Sequence, residues 1–184
     1  THALFAAIAA ALCVLIEGCA TTTVQSSGMR LQEPLCAEGE AKPSAVLYWM
    51  PQWRADQKEP QAREALVRRG IERFVSEQSC LAIVAAERWP DADGVPSNEA
   101  LVRHADDAHP RPAVALLVVV RELGPRLLVG LPVLIEGGTE AVIDVRVLRL
   151  TNGERLMDTR TQWRNGGTFV IKGVGSLDVD LSAA

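Results

Sequence analysis

Few residues in this 184-residue chain could do chemistry. Beyond His2, the only imidazoles are His104 and His109, which frame the run His-Ala-Asp-Asp-Ala-His. Two imidazoles and two carboxylates superficially resemble a metal cluster, and a histidine beside a carboxylate could move protons. A five-residue offset, however, does not place both rings on one helical face, and Pro110 breaks any helix there. The run therefore reads as a solvated helix end, and no metal ligand is assigned. The chain also has no Gly-x4-Gly-Lys phosphate loop, no His-Glu-x-x-His and no Gly-x-Ser-x-Gly elbow. The expectation is a protein without catalytic residues or cofactor, and not an enzyme.

The thiols and indoles are more informative. Of four cysteines, Cys13 lies in an apolar run near the start, Cys19 closes that run, and Cys36 and Cys80 remain. Their spacing is not that of zinc ligands. A lone pair suits a disulfide in an oxidising compartment, and two unrelated buried thiols are the alternative. Four tryptophans (Trp49, Trp53, Trp89, Trp163) stand against one tyrosine and three phenylalanines. Buried packing is one reading. The other is an exposed patch for protein or glycan contact, with Trp53 and Trp89 placed in or beside loops and Arg121, Arg126, Arg160 and Arg164 flanking it.

These residues need elements to hold them. Residues 20–43 show little periodicity and predict a flexible, extended tether. Ser44–Met50, ended by Pro51, predicts a first strand. Pro60 opens a helix over 61–79, with Ala62, Ala65, Leu66, Ile71, Phe74 and Val75 as its apolar stripe and Arg63, Arg68, Glu72, Arg73 and Glu77 elsewhere. Cys80–Ala86 predicts a second strand, and Ser97 caps a short helix over 98–105. Ala113–Leu123, the most hydrophobic stretch after the opening run, predicts a central strand. Turns at Gly124-Pro125 and Gly137-Gly138 then separate strands over 126–135 and 140–150. Asn152-Gly153 signals a hairpin into 155–164, and Ser176 reads as the cap of a C-terminal helix. The order is β-α-β-α, an antiparallel meander of about four strands, and that helix. This is an α/β (α+β) two-layer sandwich.

Composition supports a folded domain: 48% of residues are hydrophobic, and 19 basic against 23 acidic residues leave a net charge of −4. A weakly acidic chain without a basic cluster argues against nucleic acid as a partner. The expected organisation is a signal over 1–18, an anchor and tether over 19–43, and one α/β domain over 44–184.

Two resemblances set expectations for function. The apolar run Ala3–Ile16, followed by Glu17-Gly18-Cys19, resembles the signal and lipobox of bacterial lipoproteins, whose first mature residue is a lipid-modified cysteine. The chain opens at Thr1-His2 without the usual basic segment, which predicts a truncated start. The resemblance implies lipidation of Cys19 (palmitate among the acyl groups) and attachment to the membrane through it. Ala20 after that cysteine implies the periplasmic face of the outer membrane of a Gram-negative bacterium. The folded part, through AVLYW at 45–49, Ile71–Cys80 leading into LAIVAAERW, and Ile143–Glu154, resembles the group of the curli-secretion lipoprotein, the penicillin-binding-protein activator lipoprotein and the N-terminal domain of TolB. That resemblance implies a non-catalytic protein that docks a periplasmic or outer-membrane partner in envelope assembly, secretion or cell-wall control. A small-ligand-binding or transport-accessory lipoprotein, with a pocket between helix 61–79 and the sheet, is the alternative.

Overall fold

The computed structural model describes residues 21–37, 39–78, 80–90, 94–130 and 134–168. The signal segment 1–18, Cys19 and the helix expected from Ser176 lie outside them. The elements are strand β1 (Thr21–Met29), β2 (Ser44–Pro51), helix α1 (Pro60–Glu77), β3 (Ala82–Arg88), α2 (Asn98–Asp106), β4 (Val114–Gly130), β5 (Leu134–Arg149) and β6 (Glu154–Thr168). They build one six-stranded sheet in the order β1-β6-β5-β4-β2-β3. The expected α+β class holds.

β2 lies between β3 and β4 and pairs with both in parallel. Parallel strands need long crossovers, and here those are α1 and α2. The run Ala45–Met50 is buried at every position, because alternate residues meet different helices. Val46, Tyr48 and Met50 pack with Leu101 and Ala105 of α2, joined by Leu117, Val119 and Leu148. Trp49 faces the other way, toward Ile71 and Val75 of α1. At β2 the expected two-layer sandwich is therefore covered on both faces.

The helix signals act as their chemistry requires. Pro60 sits in the first turn of α1. Ser97 caps α2, its Oγ accepting from the Ala100 amide at 3.2 Å, and Glu99 stands in the first turn. The expected apolar stripe of α1 is corrected. Its buried residues are Arg63 and Val67, while Phe74 is 43% exposed.

The meander is also corrected, from about four short strands to three long ones. Neither Gly124-Pro125 nor Gly137-Gly138 turns the chain: β4 and β5 run straight through them. The glycines instead allow close approach. A Cβ at Gly138 would stand 2.5 Å from the Asn165 carbonyl oxygen of β6, and one at Gly124 would overlap the Arg63 guanidinium. The Asn152-Gly153 turn does form, with Gly153 at φ 72° and its amide donating to the Arg149 carbonyl at 2.9 Å.

The tether expectation needs a further correction, since Thr21–Met29 is a strand. The contacts Thr21–Gly166, Ser26–Thr161 and Gly28–Asp158 run in opposite senses along the two chains, so β1 lies antiparallel to β6. Threonine favours such a pleated surface, and periodicity could not reveal a strand exposed at all nine positions. The chain divides into two compact units. One contains Val24–Gly124 and Ala141–Trp163, with both helices. The other contains, among the described residues, Thr21–Thr23, 125–130, 134–140 and Arg164–Thr168. Within this second unit, Thr21 Oγ1 donates to the Gly166 carbonyl at 3.4 Å and Asn165 Nδ2 to Thr22 Oγ1 at 2.8 Å.

Candidate functional site

A cavity of about 400 Å³ opens between α1 and the β2–β3 end of the sheet. From α1, Arg68, Ile71, Glu72 and Val75 line it, the i, i+3, i+4, i+7 spacing that puts side chains on one helical face. Trp49, Ala86 and Arg88 form the opposite wall. Trp49 and Arg88 are register partners in the parallel pair, so they stand side by side. Arg88 is held by Glu64, with Nε 2.6 Å from Oε1 and Nη2 3.4 Å from Oε2. Trp49, Ile71, Val75 and Ala86 offer apolar surface, and Arg68 and Glu72 set opposite charges at the rim. None of the lining residues is a Ser, Cys or His nucleophile or base. The geometry suits holding an apolar group, as the pocket expected between this helix and the sheet would do. The spacing of Arg68, Ile71, Glu72 and Val75 was the signal available for its lining.

Two charged clusters brace this unit. Behind α1, Glu122 is 6% exposed and accepts from Gln57 Nε2 at 2.5 Å; Arg54 Nη2 lies 3.1 Å away and Arg63 Nη1 3.8 Å. Arg63 also donates to the carbonyls of Lys58, at 2.7 Å, and Leu123. Burial lowers the Arg63 pKa, and Glu122 opposes that shift. The network fastens the β2–α1 loop to β4. On the meander, Asp144 lies between Arg121 Nε at 2.5 Å and Arg160 Nε at 2.6 Å. Burial alone would raise the Asp144 carboxyl. The hydrogen bonds from Arg160 and Arg121 outweigh it and hold the group below the usual aspartate value.

The residues expected to carry function fall in different places. Cys19 lies outside the described residues. Cys36 and Cys80 are joined in a disulfide with Cα atoms 5.6 Å apart. Trp89 packs on the core, edge-on to Tyr48 at 5.3 Å and to His104 at 4.8 Å, which is the packing alternative. Burial, then Glu87 and Asp107, push the Tyr48 hydroxyl up to about 12. Trp53 is half-buried in the loop braced by Glu122, with its indole nitrogen shielded and unbonded among the described residues. No ring contact joins it to Trp89 among those residues. His104 and His109 have separate surroundings: the first meets Tyr48 and Trp89, and the second places Nδ1 3.0 Å from the Asp107 carbonyl.

No protein-family model and no curated protein matches the chain. Among solved structures it is similar to the PelC dodecamer from Paraburkholderia phytofirmans, with 12% identity and a TM-score of 0.45 over 87% of this chain and 91% of that one. It is also similar to lipoprotein GNA1162 from Neisseria meningitidis, with 13% identity and a TM-score of 0.40 over 77% of this chain and 94% of that one. Likeness at this level assigns no role to the chain.

Proposed function

We propose that this is a lipid-anchored protein of the periplasmic face of the outer membrane, held through Cys19, whose α+β domain docks a protein partner and does not turn over a substrate. The partner belongs to envelope assembly, secretion or cell-wall control. The observation that carries the reading is the Cys36–Cys80 disulfide. Such bonds persist in exported proteins and are rare where thiols are kept reduced. An exported chain gives the apolar run before Cys19 its purpose as a signal, and leaves Cys19 as the thiol positioned for acylation.

Mass spectrometry of the mature N-terminus tests the anchor. A diacylglyceryl-modified Cys19 is expected, and an unmodified Cys19 rejects it. Crosslinking in envelope fractions tests the docking, with enrichment of one envelope protein expected. The cavity under α1 favours a second reading, a small-ligand-binding lipoprotein. Co-purification of a small molecule without a protein partner would establish that reading instead.

A further inference from the structure

The sheet ends at β3 among the described residues, and this end is built unlike a guarded edge. Exposed edge strands are normally blunted by lysine, proline or a covering element. β3, with the sequence AIVAAER, has neither residue type, confines its charges to Glu87 and Arg88 at its C-terminal end, and exposes Ala82, Val84 and Ala86 before them. Val84 is 40% exposed, and Phe74 on α1 is 43% exposed. The cavity under α1 has Ala86 of this same strand in its wall. A main-chain edge and an apolar side-chain pocket therefore lie side by side, the pairing that recognition by strand addition uses.

We propose that β3 accepts an extended segment of a protein partner as a further strand, with one apolar side chain of that segment entering the cavity among Trp49, Ile71, Val75 and Ala86. This rests on the docking reading above and names the chemistry of the partner. Main-chain hydrogen bonds supply sequence-tolerant affinity, and the cavity selects the anchor. Arg68 is exposed at the cavity rim and has no ion-pair partner among the described residues. Arg88 is already engaged by Glu64. An acidic residue beside the apolar anchor therefore complements Arg68, whose exposed neighbour at the rim is Glu72. The partner segment alternates apolar and polar residues and carries an acid next to its anchor.

The test uses the full chain and a synthetic peptide alternating isoleucine and threonine with one glutamate. The control peptide has proline at two alternate positions. Binding is read by fluorescence titration and by hydrogen exchange of the β3 amides. The alternating peptide is expected to bind and to slow exchange over Ala82–Arg88, while the proline control does neither. Ala86→Arg, at an exposed position, fills the cavity mouth and should weaken binding about tenfold or more. Asn152→Arg adds the same charge at the distant hairpin and should leave binding unchanged. Equal binding by wild type and A86R, or no protection of β3, overturns the proposal. So does an apolar small molecule that occupies the cavity while the peptide does not bind, or a β3-dependent dimer that A86R dissolves. If A86R still crosslinks the same envelope protein as wild type, strand addition fails while the docking reading stands.

Discussion

A single buried cation organises the back of α1. Arg63 is 3% exposed, yet it bonds two main-chain carbonyls and lies 3.8 Å from Glu122. Removing one member of a buried ion pair leaves the other charged without full compensation. Arg63→Met should therefore destabilise the fold by about 3 kcal/mol, read as a fall in the denaturant midpoint. Asp144 is a pH-dependent case. Its folded-state pKa lies below the ordinary 3.8, so its contribution is present above that value and is lost as pH falls through the folded one. Wild type should exceed Asp144→Asn in stability near pH 5, and the two curves should converge as the pH falls through the folded-state pKa of Asp144. Tyr48 acts at the opposite end of the scale. Its pKa rises from 10.0 to about 12, so the stability it contributes is present below pH 10 and lost as pH climbs through 12. Tyr48→Phe keeps the ring packing and should remove that alkaline loss in thermal melts.

At the scale of elements, a glycine and a helix residue sixty-one positions apart share one space. Gly124 has φ 141°, and a methyl group there would collide with the Arg63 guanidinium. Gly124→Ala should thus displace Arg63 and strain β4. The double variant G124A/R63M should lose clearly less stability than the two single losses combined, since the first change already breaks what the second removes. The same pair shows where the sequence could and could not be read. Ser97 capping and the Asn152-Gly153 turn were legible because both act within four residues. The apolar run of β2 was legible because both of its faces are covered. Arg63 read as a solvent-side charge because its partner is Glu122 and its space comes from Gly124, neither of which helical periodicity can report. Gly124-Pro125 and Gly137-Gly138 read as turns for the same reason: their cause is an atom from a distant segment. The cavity was legible as a location, between helix and sheet, but its wall of Trp49, Ala86 and Arg88 depends on the β2–β3 register.

At the scale of the whole molecule, the disulfide ties the segment before β2 to the approach to β3, closing a sequence separation of 44. Replacing both cysteines by serine should cost about 2–4 kcal/mol and should loosen residues 30–43 in hydrogen exchange. β1 has a larger consequence. A slack run over residues 20–43 would reach about 80 Å from the bilayer. Because Thr21 already pairs with β6, the lipid proposed on Cys19 would be separated from the folded part by at most about 7 Å of chain. The accessible search volume shrinks by roughly three orders of magnitude, and the effective concentration toward neighbours in the same membrane rises accordingly. The compact unit that contains Thr21 would then be a fixture of the membrane surface, and a partner would have to come to it. Glycine–serine insertions between Cys19 and Thr21 should progressively weaken crosslinking to a membrane-resident partner, whereas a freely diffusing periplasmic partner would be indifferent to them.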